Sequence, residues 1–464
     1  MTGEHGTRSP SGTTSGVTRE VAVAARRAGL SPAVVAQVVL GAGFLAHLVV
    51  VEVLFATAGS GKNSVLTVAK FFALHAASIM MLQLVLVARL PFLDRRIGMD
   101  RLTVWHRWVG FTLAWTVLTH ATLVVLGYAV LYSMPVLATF LSLAGVVASL
   151  LGMCAAAIIL AMAAFSLRYA RRRMQYETWH ALHIGLYLAV LLALVHQGLE
   201  GTTFASSPAA RAYWWTVWAL VLLAFLSGRV ALPIWRNVHH RFRVIAVVPE
   251  SDDVVSVYVT GRDLHRLGAR AGQFFIWRFP AHNGWWQANP FSLSAAPDGR
   301  TLRLTAKAVG TTSAGLRQLP VGTRAFLEGP YGAFTAMHRT RPATLLVAGG
   351  VGITPIRAML EESSGPTVVL YRVQTMADAV LLPELRWLAD ERGARLHVLA
   401  GRTGSGNPPL APFEPANLAA LVPDIATRDV YVCGPRAMTD AVLRSLRELG
   451  VPRGQVHAER FSLA

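Results

Sequence analysis

Six apolar runs dominate the first half of the chain, near residues 33–57, 65–90, 102–130, 136–167, 176–198 and 212–234. Each reaches the length of about 20 residues that a helix needs to cross a bilayer. The fourth is overlong and the second carries Lys70 and His75, which blurs their ends. Polar character is concentrated in the links, and the links alternate in charge. RLPFLDRRIGMDR (89–101), RYARRRMQ (168–175) and WRNVHHRFR (235–243) are strongly basic, whereas AGSGKNS, YAVLYSMP and GLEGTTFASSPAAR carry little charge. Basic links after the second, fourth and sixth runs, with arginines before the first, predict a multi-pass protein of the cell membrane with both termini cytoplasmic. At about residue 238 the period changes. RFRVIAVVPESDDVVSVYVTG, AGQFFIWRF and TLRLTAKAVG alternate as antiparallel strands do, with turn residues between them. From 343, strand–loop–helix units follow one another as TLLVAGG, TVVLYRV, RLHVLAG and DVYVCG, which predicts a parallel sheet with helices on its faces. The expected fold is a six-helix transmembrane bundle, then a cytoplasmic antiparallel β-barrel, then an α/β parallel-sheet domain.

Composition supports this picture. Of 464 residues, 53% are hydrophobic and 15% charged, against about 25% charged in an ordinary soluble protein. A net charge of +18 would suit a nucleic-acid binder. Its concentration between apolar runs is instead the positive-inside pattern, so the expected partner is the lipid bilayer and no nucleic acid. Cys154 and Cys433 are too few for a disulfide framework or a four-thiolate iron–sulfur cluster. The first 32 residues are polar, with no early apolar run of a cleaved signal peptide, and read as a cytoplasmic tail. Within it EVAVAARRAGL (20–30) is either an amphipathic surface helix or part of a disordered stretch.

The third and fifth runs each hold two histidines, in HRWVGFTLAWTVLTH (106–120) and HIGLYLAVLLALVH (183–196). Ionisable groups within a span are costly and usually have a task. His106 and His120, 14 residues apart, are separated by about 21 Å of rise and about 40° of azimuth on an α-helix. His183 and His196, 13 residues apart, are separated by about 19.5 Å. Both runs cross in the same direction. His106 and His183 therefore share a depth near the cytoplasm, and His120 and His196 share one nearer the outside. Two bis-imidazole sites stacked across the bilayer are what two b-type haems require, their irons held by these four side chains. On an ideal helix His196 lies about 140° from His183, which predicts an irregular fifth helix or haems approached from different azimuths. His180 is about 160° from His196 and ranks below His183 as a ligand. Gly110, one turn after His106, leaves space beside a porphyrin. Zinc or copper would want its ligands at one depth, and a proton relay asks for Asp or Glu that the spans largely lack. His47 and His75 have no partners at matching spacing and read as structural.

NPFSLS (289–294) sets an aromatic, Phe291, beside a small hydroxyl, Ser292, as the flat ring and polar edge of a flavin need. KAVGTTSAGL (307–316) is a glycine-containing loop entering a helix, Gly310-Thr311-Thr312-Ser313, whose backbone N–H groups suit a pyrophosphate, with Lys307 adding charge. LLVAGGVGITPIRAML (345–360) is strand, turn and helix. Gly349, Gly350 and Gly352 permit close approach of a ligand, Thr354 is placed to cap the helix, and Pro355 fits its first turn. YVCGPRAMTDAV (431–442) is a second such unit, with Cys433, Gly434 and Pro435 at a strand's C-terminal end and Met438 as helix packing. The second strand of this half ends TVVLYRV with Arg372 and the third ends in Gly401-Arg402, where an acidic residue after the second strand would select NADH. Two arginines there suit the 2′-phosphate of NADPH.

From about residue 33 onward, this order of motifs resembles the NADPH oxidase and ferric reductase superfamily of transmembrane flavocytochromes. The resemblance implies a tail over 1–32, a ferric reductase-type di-haem membrane domain over 33–235, an FAD-binding domain over 238–338 and an NAD(P)-binding domain over 339–464. It implies that Phe291 and Ser292 contact the isoalloxazine, and that Lys307, Gly310 and Ser313 hold the pyrophosphate. It also implies that the glycine-rich turn, Thr354 and Pro355 with Cys433, Gly434 and Pro435 line the nicotinamide site. The family's flavin motif usually begins His-Pro-Phe, and here it begins Asn289-Pro290. In HAERFSLA, Phe461 is the counterpart of an aromatic that shields the flavin where nicotinamide must stack, so Phe461 and Cys433 are the candidates at the catalytic centre. The expected activity is transfer of electrons from cytoplasmic NADPH through FAD and two b-type haems to an extracytoplasmic acceptor. Two imidazoles per haem close both axial positions and direct acceptor reduction to the haem edge. Oxygen, forming superoxide, leads. A ferric chelate, or an extracytoplasmic redox partner protein or quinone, is the alternative.

Overall fold

The structure, a computed structural model, describes residues 32–167, 173–174, 176–205, 207–283, 289–308, 311–404 and 411–460. It contains two compact units. One is Ala36–Leu90 with Asp100–Val230, and the other includes Pro91–Met99 and Ala231–Ala464.

Six helices among the described residues are long and apolar enough to cross a membrane: Ala33–Thr57, Ser64–Val87, Arg101–Tyr132, Val147–Ser166, Thr178–Glu200 and Pro208–His240. Their departures from the apolar runs have local causes. The overlong fourth run is two helices, Val136–Ala144 and Val147–Ser166. At the break Gly145 N–H bonds back to Leu141, and Val146 is extended. The fifth span divides at Gly185 into Tyr176–Ile184 and Leu186–Glu200. There Gly185 N–H bonds to Leu182 and Leu188 N–H to Gly185, each at 3.0 Å and each an i→i+3 contact. Residues in so tight a turn advance about 120° rather than about 100°, which swings His196 toward the face of His183. Of the two expectations for this span, the irregular helix is what the chain adopts. The sixth span continues past residue 234 through a π-helical turn, Ser227–Ala231, to His240. That turn lets Gly228 pass the end of the second span, where an added Cβ would lie 2.0 Å from the Ala88 carbonyl oxygen.

The membrane unit packs Leu74, Met80, Leu113, Val117, Ile159, Trp214 and Trp218 around small residues such as Ala77, Ala114, Ala155 and Ala189, the mixture that lets membrane helices approach closely. Its polar side chains tie helices together. Lys70 Nζ donates to the carbonyls of Ala58 and Gly59 at 3.4 and 2.9 Å, closing the end of the first span. His47 meets Tyr213 Oη at 2.9 Å and Ser78 Oγ at 3.1 Å, and His75 meets Glu52 at 3.1 Å. These contacts give both histidines structural work between the first, second and sixth spans.

In the other unit, β1 (Arg243–Pro249), β2 (Val254–Thr260) and β5 (Thr301–Lys307) form one antiparallel sheet. β4 (Asn289–Ser292), β3 (Phe274–Arg278) and β6 (Phe326–Tyr331) form a second. Isolated bridges, Leu293 to Leu304 and Arg243 to Arg324, join the two around a shared core that includes Phe275, Trp277, Leu304 and Leu327. The basic links have structural roles against this barrel. Asp94, buried in helix Pro91–Ile97, accepts from Gly332 N at 2.9 Å. Asn237 exchanges two hydrogen bonds with the Leu327 backbone, at 2.7 and 2.8 Å, and Arg236 donates to the Gly329 carbonyl.

A five-stranded parallel sheet follows in the order β11 (Val456–Arg460), β10 (Arg428–Gly434), β7 (Ala343–Gly349), β8 (Thr367–Val373), β9 (Arg395–Ala400). Both faces are covered, as in α/β sheets generally. Leu345 and Val347 of β7 pack on one side, while Leu346 and Ala348 pack on the other. Helices α1 (Ile353–Glu361), α2 (Leu382–Glu391), α3 (Pro415–Leu421) and α4 (Arg436–Glu448) lie between the strands in sequence. The chain builds outward from β7 in one direction, then returns to start β10 on its other side. The topological switch point therefore falls at the C-terminal ends of β7 and β10, where open α/β sheets bind their ligands.

Candidate functional site

The first cluster lies on the third and fifth spans. His106 and His183 face each other with ring centroids 5.9 Å apart and planes at 73°. Two imidazoles sharing one metal through bonds of about 2.0–2.1 Å would have centroids about 6 Å apart, so this pair has the separation of an axial pair. His183 is the residue set against His106, while His180 is exposed. The Nδ1 atoms of His106 and His183 are buried without a protein partner, and Trp179 stacks on His183 at 4.8 Å. In the second pair, His120 Nδ1 lies 3.0 Å from the Ala69 carbonyl oxygen and His196 Nδ1 lies 2.8 Å from that of Ala148. A proton on Nδ1 donated to the carbonyl leaves Nε2 as the coordinating atom, the usual arrangement behind a metal-binding histidine. The ring separation of His106 and His183 fits a shared metal, and the carbonyl contacts of His120 and His196 leave Nε2 of each ring available to one. Among the described residues no three or more His, Cys, Asp or Glu gather into a bare-metal site.

Two glycines shape this region. A Cβ at Gly110 would lie 2.7 Å from Gln83 Nε2, and that amide donates to the His106 carbonyl at 3.0 Å. The space at Gly110, expected to adjoin a porphyrin, is thus occupied by Gln83. Gly152 was not marked by its sequence, because glycine is frequent in membrane helices. A Cβ there would meet His196 Cε1 and Nδ1 at 2.9 Å, so Gly152 leaves room for the ring. Gly152→Val should displace His196; with a haem held at His120 and His196, total haem per chain would fall by that site alone.

The second cluster is on the barrel. Asn289, Pro290, Phe291 and Ser292 form β4 and pair with Trp277, Ile276, Phe275 and Phe274 of β3. The Phe291 carbonyl accepts from Trp277 Nε1 at 3.1 Å, leaving its ring half-buried at the surface of the core. Ser292 is 3% exposed and its Oγ has no protein partner. A small buried hydroxyl beside an aromatic ring fits the polar edge of a flavin. Lys307 ends β5 but is paired with Asp253 at 3.0 Å, and this hydrogen bond holds the Asp253 carboxyl below its ordinary range. Thr311, Thr312 and Ser313 open a five-residue helix, Thr311–Gly315. Gly310 and Phe461 lie outside the described residues.

The third cluster is the switch-point edge. Gly349 ends β7, a short turn spans Gly350–Gly352, and α1 begins at Ile353. The helix starts earlier than a Thr354 cap would require. Gly352 is its N-cap, and Thr354 Oγ1 turns back to the Val351 carbonyl at 3.1 Å, which corrects the capping expectation. Pro355 lies in the first turn as expected. Close packing explains the glycines. A Cβ at Gly352 would lie 2.4 Å from the Cys433 carbonyl oxygen, and one at Gly349 would lie 2.5 Å from Met438 Sδ and 2.9 Å from Pro435 Cδ. Gly434 likewise closes on Gly349, and Met438 fills this corner as packing. Cys433 is fully buried among the residues of one core, and it is its backbone that meets the turn. Arg372 at the end of β8 donates to the Val373 and Leu399 carbonyls at 3.1 and 2.7 Å and to Thr403 Oγ1 at 3.3 Å. It therefore braces the β9 loop, and Arg402 is exposed on that loop.

Residues 72–194 match the ferric reductase like transmembrane component family, and residues 346–444 match the oxidoreductase NAD-binding domain family. A ferric reductase-like transmembrane segment followed by an NAD-binding domain matches the domain order of ferric reductase/NADPH oxidase-like flavocytochromes. The chain is a multi-pass membrane protein whose second half is similar to reductase-type FAD/NAD(P)-binding domains. It is 34% identical over 202 residues to the ferredoxin–NAD(+) reductase component of an alkene monooxygenase system from Xanthobacter autotrophicus, covering 41% of this chain and 61% of that protein. It is 31% identical over 242 residues to a flavohemoprotein of Pseudomonas aeruginosa, covering 50% of this chain and 60% of that one. The chain thus spans about three-fifths of the length of these relatives. Among solved structures, the FAD/NAD-binding domain of a nitric oxide dioxygenase from Vibrio cholerae is 26% identical with a TM-score of 0.40, covering 48% of this chain and 98% of that one. A flavohemoglobin from Malassezia yamatoensis is 20% identical with a TM-score of 0.42, covering 68% and 88%.

Proposed function

We propose that this chain carries electrons from cytoplasmic NADPH through FAD and two b-type haems to an extracytoplasmic acceptor, with oxygen, reduced to superoxide, as the acceptor. The observation that carries the reading is the pair of facing histidines, His106 and His183, at axial separation in a chain that also holds an NAD-binding domain. FAD supplies the conversion of a hydride into single electrons, and b haems supply a one-electron path across a bilayer. The protein's own residues provide the seats. Phe291 presents a flat apolar face and Ser292 a hydroxyl to the flavin. The glycine-rich turn after β7 and the Cys433–Pro435 backbone would admit the nicotinamide nucleotide, and Phe461, outside the described residues, is the aromatic proposed to shield the flavin. His106 with His183, and His120 with His196, hold the two irons. Both termini lie on the cytoplasmic side, as the basic links require. Each NADPH gives two electrons, so two oxygen molecules become superoxide and one proton is released.

Oxygen uptake by the purified protein with FAD and NADPH tests this. Superoxide dismutase should return part of the oxygen consumed. Reduction of a ferric chelate that persists with the dismutase would move the acceptor to ferric iron. NADPH that is consumed only with an added redox protein or quinone would make the chain an electron-transfer subunit.

Nucleotide choice follows from the β8 and β9 loops. NADPH should be preferred to NADH, and Arg402→Ala should raise the KM for NADPH about tenfold, as loss of one charge-assisted hydrogen bond would. The KM for NADH should not move. Equal Michaelis constants for both nucleotides in the parent protein would show that the arginines do not select.

A further inference from the structure

Where the barrel meets the parallel-sheet domain, within one compact unit, four charged side chains lock together. Arg303 of β5 is 3% exposed and Arg357 of α1 is 4% exposed. Arg303 makes two parallel hydrogen bonds to Glu384 of α2, each at 3.0 Å, and Arg357 Nη2 reaches Glu384 Oε1 at 2.7 Å. Arg357 also pairs with Glu361 one turn along α1, and Glu361 Oε2 accepts from the Ala296 backbone N–H at 2.6 Å. Two positive and two negative charges balance, so neither buried guanidinium is left uncompensated.

The barrel end of this cluster is itself held rigidly. Arg303 Nε donates to Ser294 Oγ at 3.0 Å, and Nη2 donates to the Ser294 carbonyl at 2.6 Å. Thr305 and Ser256 continue the chain through contacts of 2.7 Å each. Tyr258 Oη accepts from Arg303 Nη1 at 3.1 Å. A contact between two apolar surfaces can slide by a fraction of an ångström at small cost. A bidentate guanidinium–carboxylate pair fixes both distance and angle.

The cluster is close to both halves of the reaction site. Ser294 lies two residues past Ser292, about 7 Å along an extended strand. Arg357 lies five residues past Gly352, about 7.5 Å along a helix. We propose that Arg303, Arg357, Glu361 and Glu384 form a positioning clamp that sets the nucleotide turn in register with the flavin face for hydride transfer. This rests on the proposed NADPH-to-FAD chemistry. The clamp touches neither reactant, so its members are positioning residues, and the property they control is the rate of hydride transfer rather than nucleotide affinity.

The test uses the full-length protein in nanodiscs, with the variants Glu384→Gln and Arg303→Lys. Glu384→Gln keeps the side chain's size and Arg303→Lys keeps its charge, and each removes the matched bidentate pairing. Rapid mixing with NADPH should show flavin reduction slowed on the order of 10- to 100-fold, the effect of misplacing reacting groups by about 1 Å. Nucleotide Kd, measured by titration, should stay within about twofold, a change worth under about 0.5 kcal/mol. Unchanged reduction rates would overturn the clamp, as would Kd rising in step with the rate loss. Loss of bound FAD in both variants would also overturn it, in favour of a purely structural role. A parent protein whose flavin neither NADPH nor NADH reduces removes the electron-transfer reading, and the clamp with it.

Discussion

On the proposed two-haem path, His196→Ala should leave one haem per chain instead of two and reduce electron delivery outside the membrane to background, while NADPH still reduces the flavin at the parent rate. The expectation comes from the geometry of the outer pair. His196 is held by a 2.8 Å contact from Nδ1 to the Ala148 carbonyl and by the gap at Gly152, so Nε2 is the atom left to coordinate. No other histidine replaces it: His180 precedes the Gly185 break and is exposed. His180→Ala should accordingly keep both haems, and the inner site should retain its low-spin spectrum in His196→Ala. Haem quantified after extraction, together with stopped-flow flavin reduction, separates these outcomes. Full haem content in His196→Ala, or loss in His180→Ala, would reassign the fifth span.

The spans were legible because lipid tolerates only long, continuous apolar helices, and that demand is written residue by residue. The breaks within them were legible only in part: the azimuth of His196 asked for an irregular fifth helix or different haem approaches, without placing the break. Gly145 and Gly185 resemble any membrane glycine, and only the backbone shows that the chain bends at them. Charge misled in a different way. Arg95 and Arg96 were read for their sign alone, while Asp94, Arg236 and Asn237 in the same links hold the barrel through backbone contacts. The clamp was hidden by a correct rule. In TLRLTAK, Leu302 and Leu304 face the barrel core, so alternation assigns Arg303 and Thr305 to the outside. The outside of that strand is covered by α1 and α2, and the outward arginine is therefore buried and paired. Periodicity in one domain carries no information about what a neighbouring domain lays over its outer face. The glycine-rich turn was readable for the same reason the spans were: its requirement is local.

Gly352→Ala tests that local requirement most sharply. The methyl group would arrive 2.4 Å from the Cys433 carbonyl oxygen and 2.9 Å from Gly434 Cα. Both obstacles are backbone atoms of β10, paired on both sides by β11 and β7, so no side chain can turn aside to admit it. The start of α1 must move away from β10, and overpacking of this kind costs about 1–3 kcal/mol. The same movement displaces the turn at the switch point, where the nucleotide is proposed to sit, so Kd for NADPH should rise at least about tenfold. FAD and haem content should stay at parent levels, because β4 and the histidine pairs are remote in sequence and belong to other elements. Gly454→Ala is the matched control: nothing lies within 4 Å of its added Cβ, and stability should change by no more than about 0.5 kcal/mol. Thermal unfolding and nucleotide titration of the two variants, side by side, decide the matter. If Gly352→Ala behaves like Gly454→Ala in both measurements, the contact with Cys433 is not what reserves this position for glycine.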